Sequence, residues 1–243
     1  MTSRPAAADA APAAVTAAAR PIFDWLFVVA ALAVAATYVR AIYFTPVEAM
    51  QGPAQKILYV HATAAFVGLY LCFGLVAVAS LLYLWLKDEK LDRAAAAAAE
   101  VGVVFTTVVL CTGPLWGKPV WGAWWTWDAR LTLTLFLWFV GLGYIILRGA
   151  IEEPAMRARF SAVLGILAAL LVPFIHLSVY LFRTLHPMPI LLKPSAPSMP
   201  REMQLTFLMA FIAFSLLFAA FLRARYRLGT RADLLAAREE GML

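Results

Sequence analysis

The chain has 243 residues, of which 64% are hydrophobic and only 14% carry a charge. Soluble globular domains have about 45–50% apolar and about 25% charged residues, so the composition excludes an ordinary soluble domain and excludes disorder over most of the length. A net charge of +6 would indicate nucleic-acid binding in a soluble chain, but in a membrane protein lysine and arginine mostly hold cytoplasmic loops in place. We therefore predict an all-α integral membrane protein that binds lipid and no nucleic acid.

The first 20 residues are rich in alanine and contain Pro5 and Pro12. They predict a poorly ordered tail rather than a signal peptide, because the first long apolar run begins only near Phe23 and is too long for one. A membrane domain is expected over residues 21–228, followed by a C-terminal tail over residues 229–243.

Six apolar segments are long enough, or nearly long enough, to cross a bilayer, which takes about 20 residues of helix. The alanine run at 94–99 can lengthen the third of them, which is otherwise short. The sequence therefore predicts a six-transmembrane helix bundle. The predicted spans are 23–44, 57–86, 101–115, 131–147, 160–182 and 205–222.

The positive charges predict how the bundle is oriented. Six spans leave both termini on one side, and that side holds 13 of the 20 lysine and arginine residues while the other side holds 7. By the positive-inside rule the termini are cytoplasmic, an N-in, C-in arrangement. Three loops then face outward, at about 45–56, 116–130 and 183–203. The last contains five prolines and cannot form one regular helix.

Two kinds of chemistry lack their motifs in this chain. Cys72 and Cys111 form no CxxC, CxxCH or metal-ligand pattern, so neither a thiol oxidoreductase nor a covalently attached c-type haem is expected. No GxxxxGK[ST] phosphate-binding loop occurs, so any ATP-driven step requires a separate subunit. We therefore expect a binding or transport protein rather than an enzyme.

The loop between spans 3 and 4 is rich in tryptophan. An aromatic belt at the membrane interface explains one or two tryptophans per helix end, but not five of the chain's eight within twelve residues. Three of them have helical i, i+3, i+4 spacing, which predicts a short helix with an aromatic platform on one face. Such a platform suits a porphyrin, a quinone or a lipid headgroup. The three with helical spacing are Trp121, Trp124 and Trp125, and the other two of the five are Trp116 and Trp127.

The residues that flank the tryptophans predict how the segment begins and ends. Gly117, Pro119 and Gly122 are expected to stop the preceding helix before the aromatic platform. Asp128 stands where it can cap the N-terminus of the fourth span, a structural role that competes with a role in ligand binding.

All three histidines of the chain fall in the predicted outer half of the bundle. Imidazole is a standard axial ligand of haem iron, and a polar residue inside a span is costly enough to need a reason. We predict His61 and His186 as the two axial ligands. His176, which follows Pro173, is the less favoured alternative because a hydrogen bond to a neighbouring helix also explains it.

Three cations lie near the predicted outer interface, where the propionates of a haem would need positive partners. Lys56, Arg130 and Arg183 are the candidates. Snorkelling of each side chain to the lipid headgroups is the competing explanation.

The segment TGPLWGKPVWGAWWTWDARLT, which runs from Thr112 to Thr132, resembles the tryptophan-rich WWD signature of haem-handling proteins in cytochrome c maturation. Six spans, with single histidine-bearing segments before and after this loop, resemble the CcmC family, haem exporter protein C. The resemblance covers nearly the whole chain after the N-terminal tail. It departs at Leu181 and Phe182, where relatives often carry tryptophans.

The resemblance implies a b-type haem, bound non-covalently and transferably at the periplasmic face of the bacterial inner membrane. His61 in the sequence YVHA and His186 in the sequence TLH match the family's two haem-ligating histidines, and the tryptophan-rich loop matches the segment that cradles the haem. The family presents this haem to the periplasmic haem chaperone CcmE. It works beside the ABC-type subunits CcmA and CcmB and the small membrane subunit CcmD.

Two other functions remain as alternatives at the level of sequence. A haem b subunit of a quinol or electron-transfer complex needs facing histidine pairs at mid-membrane, and this chain offers at most His176 there. A haem-translocating permease of the secondary-transporter kind is expected to show internal repeats and broken spans, and no clear repeat is visible. A haem at the outer edge stays reachable by a soluble partner, which favours a protein that receives and presents haem.

Overall fold

The computed structural model describes residues 25–188 and 199–239 of the chain. In these residues six helices are long and apolar enough to cross a membrane, and an isolated bridge between Glu48 and Gly52 is the only β-pairing. The predicted all-α, six-span architecture is confirmed. The helices are α1, Trp25–Tyr43; α2, Pro53–Leu86; α3, Glu89–Trp121; α4, Ala129–Ala150; α5, Pro154–Leu181; and α6, Arg201–Glu239.

Parts of four predicted segments lie outside the described residues. These parts are the alanine-rich tail at 1–20, residues 21–24 at the start of the predicted membrane domain, positions 189–198 of the loop predicted at 183–203, and residues 240–243 of the predicted C-terminal tail. The remainder of that tail is helical where the structure describes it, because α6 continues to Glu239.

The beginning of α3 lies twelve residues before the predicted span, at Glu89 rather than Val101. The side chain of Asp88 accepts a hydrogen bond from the Lys90 N–H and caps the helix. A run of alanines follows, and alanine has the highest helix propensity of all residue types. Local sequence therefore starts the helix well before its apolar part.

The end of α3 also differs from the prediction. The helix passes through Pro114 and Pro119 and ends at Trp121. A proline here removes one backbone donor and its ring crowds the carbonyl four residues earlier, but membrane helices tolerate this because neighbouring groups satisfy the freed carbonyl. The stop is Gly122, whose φ of +79° favours glycine. The loop predicted at 116–130 is thereby reduced to residues 122–128, which we call the Trp loop.

Helix packing brings the Trp loop close to two other connections. α1 packs against α6 and α4 against α5, while α2 and α3 lie between these pairs. Trp116 Nε1 donates to Gln51 Oε1 at 3.0 Å, and the Thr184 hydroxyl donates to Asp128 at 2.7 Å. These bonds place residues 44–52, 122–128 and 182–188 at one end of the bundle, which we call the tryptophan end.

Gly165 on α5 marks a close approach of three helices in the opposite half of the bundle. A Cβ atom at this position would lie 2.7 Å from Val76 Cγ1, 3.1 Å from Ser80 Oγ and 3.3 Å from Tyr144 Cε2. Valine is stiff about χ1 and cannot turn away freely. We expect Gly165→Ala to destabilise the bundle by about 1–3 kcal/mol through overpacking. A lower Tm of the purified protein in detergent measures this effect.

Gly143→Ala is the matched control, because nothing lies within 4 Å of a Cβ at Gly143 on α4. Alanine favours a helix over glycine by about 0.8–1 kcal/mol, so the Tm of this variant is expected to stay level or to rise. An unchanged Tm for Gly165→Ala would contradict the tight packing of α5 on α2 and α4.

Candidate functional site

A cavity opens at the tryptophan end between α2, α3, α4, α5 and α6. The cavity and its open mouth together enclose about 1380 Å³ of space that no protein atom fills. Most of its wall is apolar, which suits a large, flat and mainly hydrophobic ligand. The apolar wall includes Leu58, Phe66, Leu69, Val109, Phe207 and Phe211.

Most of the site residues predicted from the sequence line this cavity. Trp127 and Asp128 do not line it, and neither do Lys56 and Arg183. Lys56 instead donates to the Ile42 carbonyl at 2.7 Å, and the Arg183 side chain is exposed. The nominated residues in the wall are His61, His176, His186, Trp116, Trp121, Trp124, Trp125 and Arg130.

The predicted short helix for the tryptophans is wrong. Trp121 is the last residue of α3, whereas Trp124 and Trp125 lie in the non-helical Trp loop. The turn at Gly122 separates them, so helical spacing does not set where their rings lie. The three nevertheless line one cavity because the chain reverses direction between α3 and α4.

The tryptophans differ in burial across the site. Trp116 is only 3% exposed and packs edge to face on Trp121, with ring centroids 4.9 Å apart. Trp124 and Trp127 are 58% and 77% exposed, respectively. The wall of the cavity is therefore anchored by the tryptophans of α3, while the Trp loop presents open aromatic surface at its outer side.

Thr112 fixes the tautomer of His61. The Thr112 hydroxyl donates to the Val108 carbonyl at 2.7 Å, so its oxygen accepts from His61 Nδ1, which lies 3.0 Å away. The proton on Nδ1 leaves Nε2 with its lone pair. A Cβ at Gly113 would lie 3.2 Å from His61 Cε1, so the small residue makes room for the ring. The ring is ready to ligate a metal through Nε2.

His186 has the same tautomer for a different reason. Its Nδ1 lies 3.0 Å from the Pro187 carbonyl, which only accepts, so Nδ1 carries the proton and Nε2 keeps the lone pair. The ring meets that of Trp121 edge to face at 6.4 Å. Burial, with a smaller contribution from the positive charge of Arg130, lowers the pKa of His186 from 6.5 to about 3. The imidazole is therefore neutral at physiological pH, as ligation requires.

His176 has an interhelical partner, the alternative that the sequence left open. Its Nδ1 lies 2.6 Å from the Tyr70 hydroxyl. Tyr70 belongs to a π-helical segment of α2, Val67–Cys72, and such segments widen a turn and re-aim its side chains. No sequence pattern announced this segment, which is why Tyr70 was not among the predicted site residues. His176 lies in the wall of the cavity with one nitrogen already engaged.

Asp128 caps α4 as predicted. One carboxylate oxygen, Oδ1, accepts from the Leu131 N–H at 3.0 Å. The other, Oδ2, accepts from the hydroxyls of Thr126 at 3.3 Å and Thr184 at 2.7 Å. The Asp128 carboxylate therefore has a structural role beside the cavity. Within the described residues it makes no hydrogen bond to Arg130, the cation of the cavity wall.

Two donors in the cavity wall have no hydrogen-bond partner among the described residues. They are the indole N–H of Trp125 and Nη1 of Arg130. An unpaired buried donor costs about 1–3 kcal/mol, and more when it is charged. An anionic acceptor in the cavity removes this cost, and a guanidinium is well suited to a carboxylate.

The chain matches, over residues 6–239, the model of a family described as "Heme exporter protein C". Relatives with that name are 38% identical over 173 residues in Bradyrhizobium diazoefficiens, 35% over 187 in Haemophilus influenzae and 32% over 226 in Rhodobacter capsulatus. These matches cover 71%, 76% and 90% of this chain, and 65%, 75% and 90% of the relatives. The chain thus spans just under two thirds of the first relative's length.

The lowered pKa of His186 has a direct spectroscopic consequence. In protein labelled with ¹⁵N-histidine and free of ligand, the His186 resonances are expected to stay those of a neutral Nδ1–H ring as the pH falls from about 8 to about 5. An ordinary histidine titrates near pH 6.5 over this range. Comparison with the His186→Gln variant assigns the signals. A midpoint between about pH 6 and pH 7 for His186 would contradict its burial beside Arg130.

Proposed function

Because the chain belongs to the haem exporter protein C family, we propose that it binds haem in the cavity at the tryptophan end and presents it to a periplasmic acceptor during cytochrome c maturation. The observation that carries this proposal is the meeting of His61 and His186, both with Nε2 lone pairs, at one aromatic cavity. Haem is the cargo of this protein, held without a covalent bond so that it can leave again.

Each chemical part of a haem has a counterpart in the cavity. The iron takes Nε2 of His61 and of His186 as axial ligands. The porphyrin faces lie against tryptophan and phenylalanine rings, where aromatic contacts add about 0.5–1.5 kcal/mol each. A propionate accepts from the two unpaired donors, Trp125 Nε1 and Arg130 Nη1. We leave His176 out of the ligand pair because its partner, the Tyr70 hydroxyl, can donate to Nδ1 as well as accept from it and so does not fix a lone pair on Nε2.

We place the tryptophan end on the periplasmic side of the bacterial inner membrane. The excess of positive residues at the opposite end supports this orientation by the positive-inside rule. Arg93 and Arg148 lie at that opposite end and pair with Asp233 and Asp92. The charged helix ends of the chain then contact the cytoplasm, while the cavity faces the compartment where c-type cytochromes mature.

The acceptor in this proposal is the haem chaperone CcmE, and the ABC-type subunits CcmA and CcmB and the small subunit CcmD are the membrane partners. The family resemblance supports all four. The absence of a phosphate-binding loop in the sequence supports a division of labour in which a separate subunit hydrolyses ATP.

The two axial histidines stand on supports of different stiffness, which indicates how haem leaves. His61 lies within α2, whereas His186 lies in the non-helical segment after α5. Segments of few contacts open at lower cost than helices in a packed core. We infer that His186 yields first during transfer, while the exposed faces of Trp124 and Trp127 give the acceptor access to the haem edge.

Haem loading and transfer test the proposed function directly. Protein produced together with haem and purified in detergent is expected to show the absorption spectrum of a bis-histidine haem. It is also expected to lose this haem to an added soluble haem acceptor. The double variant His61→Ala, His186→Ala removes both lone pairs and is expected to bind little haem and to transfer none.

His176→Ala is the matched control, since it removes an imidazole from the same cavity without removing a proposed ligand. Its haem spectrum is expected to remain bis-histidine. An unchanged haem spectrum in the double variant, or a haem that no acceptor withdraws from the wild-type protein, would contradict the proposal.

The propionate contact makes a separate prediction about Arg130 and Trp125. The wild-type protein is expected to bind haem more tightly than haem dimethyl ester, because the ester lacks the carboxylates. Arg130→Gln is expected to weaken haem binding by roughly tenfold or more, since hydrogen bonds to charged groups contribute about 1.5–3 kcal/mol. Trp125→Phe keeps the ring and loses only the donor, so a smaller loss is expected. Titrations followed by absorbance measure both.

Arg183→Gln provides the control, because this exposed arginine lies near the same end but not in the cavity wall. The variant is expected to keep the wild-type preference for haem over the ester. An undiminished preference in Arg130→Gln would show that the carboxylate binds elsewhere.

A further inference from the structure

The segment that carries His186 is tied to the rest of the protein by few polar contacts. Residues 182–188 follow the end of α5 and have no regular secondary structure. Leu185 is exposed, and the ring of His186 touches Trp121. The Phe182 N–H donates to the Ser178 carbonyl at the end of the adjoining α5. Within residues 25–188 and 199–239, one hydrogen bond joins this segment to any other element of the fold, and it runs from Thr184 to Asp128.

The Thr184 hydroxyl takes part in two hydrogen bonds at once. It donates to Asp128 Oδ2 at 2.7 Å and accepts from the backbone N–H of His186 at 3.0 Å. A hydroxyl donating to a carboxylate at this distance makes one of the stronger hydrogen bonds in proteins. Two consecutive hydrogen bonds, both through the Thr184 hydroxyl, therefore connect the backbone of His186 to Asp128 of the Trp loop.

Helix capping does not account for the bond between Asp128 and Thr184. Capping of α4 uses Oδ1, which accepts from the Leu131 N–H at 3.0 Å. Oδ2 points to Thr184 and, at the longer distance of 3.3 Å, to Thr126. The two oxygens of Asp128 thus have different roles. Oδ1 caps α4, whereas Oδ2 bonds to Thr184, which is 56 residues away in sequence.

We propose that Thr184 is a positioning residue, which holds His186 at the cavity by bonding the His186 segment to Asp128 of the Trp loop. The inference rests on the proposed role of His186 as a haem ligand. It goes further because it makes the axial ligand and the aromatic loop one mechanical unit. A displacement of the Trp loop by an acceptor then moves His186, while His61 on α2 stays in place.

Thr184→Val tests the inference, since it keeps the shape of the side chain and removes the hydroxyl. The full-length protein is produced together with haem and purified in detergent. Its spin state is read from absorbance and electron paramagnetic resonance, and haem loss is followed with an excess of a haem-scavenging protein. We expect a larger high-spin fraction and roughly tenfold faster haem loss, as is typical of outer-shell substitutions at metal sites.

Two variants of matched chemistry separate positioning from a general loss of structure. Thr184→Ser keeps the hydroxyl and is expected to restore the low-spin spectrum. Thr126→Val removes a hydroxyl that donates to the same Asp128 oxygen but does not touch the His186 segment, so its spectrum is expected to match the wild type. Thr184→Val with the spin state and loss rate of Thr126→Val would overturn the inference.

Asp128→Ser serves as a second variant if Thr184→Val does not fold. Serine is as good an N-cap as aspartate, so it keeps the cap of α4 but lacks the second oxygen that accepts from Thr184. The same shift to high spin is expected, and a wild-type spectrum would overturn the inference. His186→Ala, measured in parallel, separates the two proposals. If His186→Ala changes the spectrum and neither other variant does, the positioning inference alone fails, whereas no change in His186→Ala refutes the ligand role itself.

Discussion

A polar group inside an apolar bundle is costly unless it finds a hydrogen-bond partner, and the cavity at the tryptophan end depends on how that constraint is met. Most buried hydroxyls meet it locally: Thr63, Thr106 and Ser178 each donate to a carbonyl of their own helix one turn earlier. The histidines of the cavity cannot do so alone, since each ring carries a donor and a lone pair. Thr112 and the Pro187 carbonyl take the donors of His61 and His186 and so leave two lone pairs at one cavity.

The seven residues of the Trp loop connect this polar arrangement with the aromatic wall. Gly122 ends α3 by adopting a φ that favours glycine, and Asp128 begins α4 as its N-cap. Because both ends are fixed, Trp124 and Trp125 are held in the cavity wall without being helical. The second oxygen of Asp128 extends the same fixed frame to Thr184 and the segment after α5. Gly122 thus shapes the site through its backbone, and Asp128 through its side chain.

Hydropathy and residue type predicted the six spans and the Asp128 cap, because these depend on local sequence. The course of α3 was harder to predict, since Gly117 and Pro119 indicate a helix end but the helix continues through both to Trp121. Three features depend on packing between distant segments and left no local signal. These are the pairing of Tyr70 with His176, the unpaired donor of Trp125, and the bond between Thr184 and Asp128.

A haem carrier must hold haem firmly and still release it. Under the proposed function, the rigid position of His61 serves binding and the less constrained position of His186 serves release. His61 sits in α2 among packed helices, so displacing it disturbs the core around Ala64 and Val67. His186 sits in a short segment whose described hydrogen bond to an element beyond the adjoining α5 is made by a single hydroxyl, that of Thr184. Breaking that link costs about the 0.5–1.5 kcal/mol net value of an ordinary hydrogen bond, or up to about 3 with a charged partner. An acceptor that gains comparable contacts with the exposed tryptophans offsets the cost of breaking this hydrogen bond.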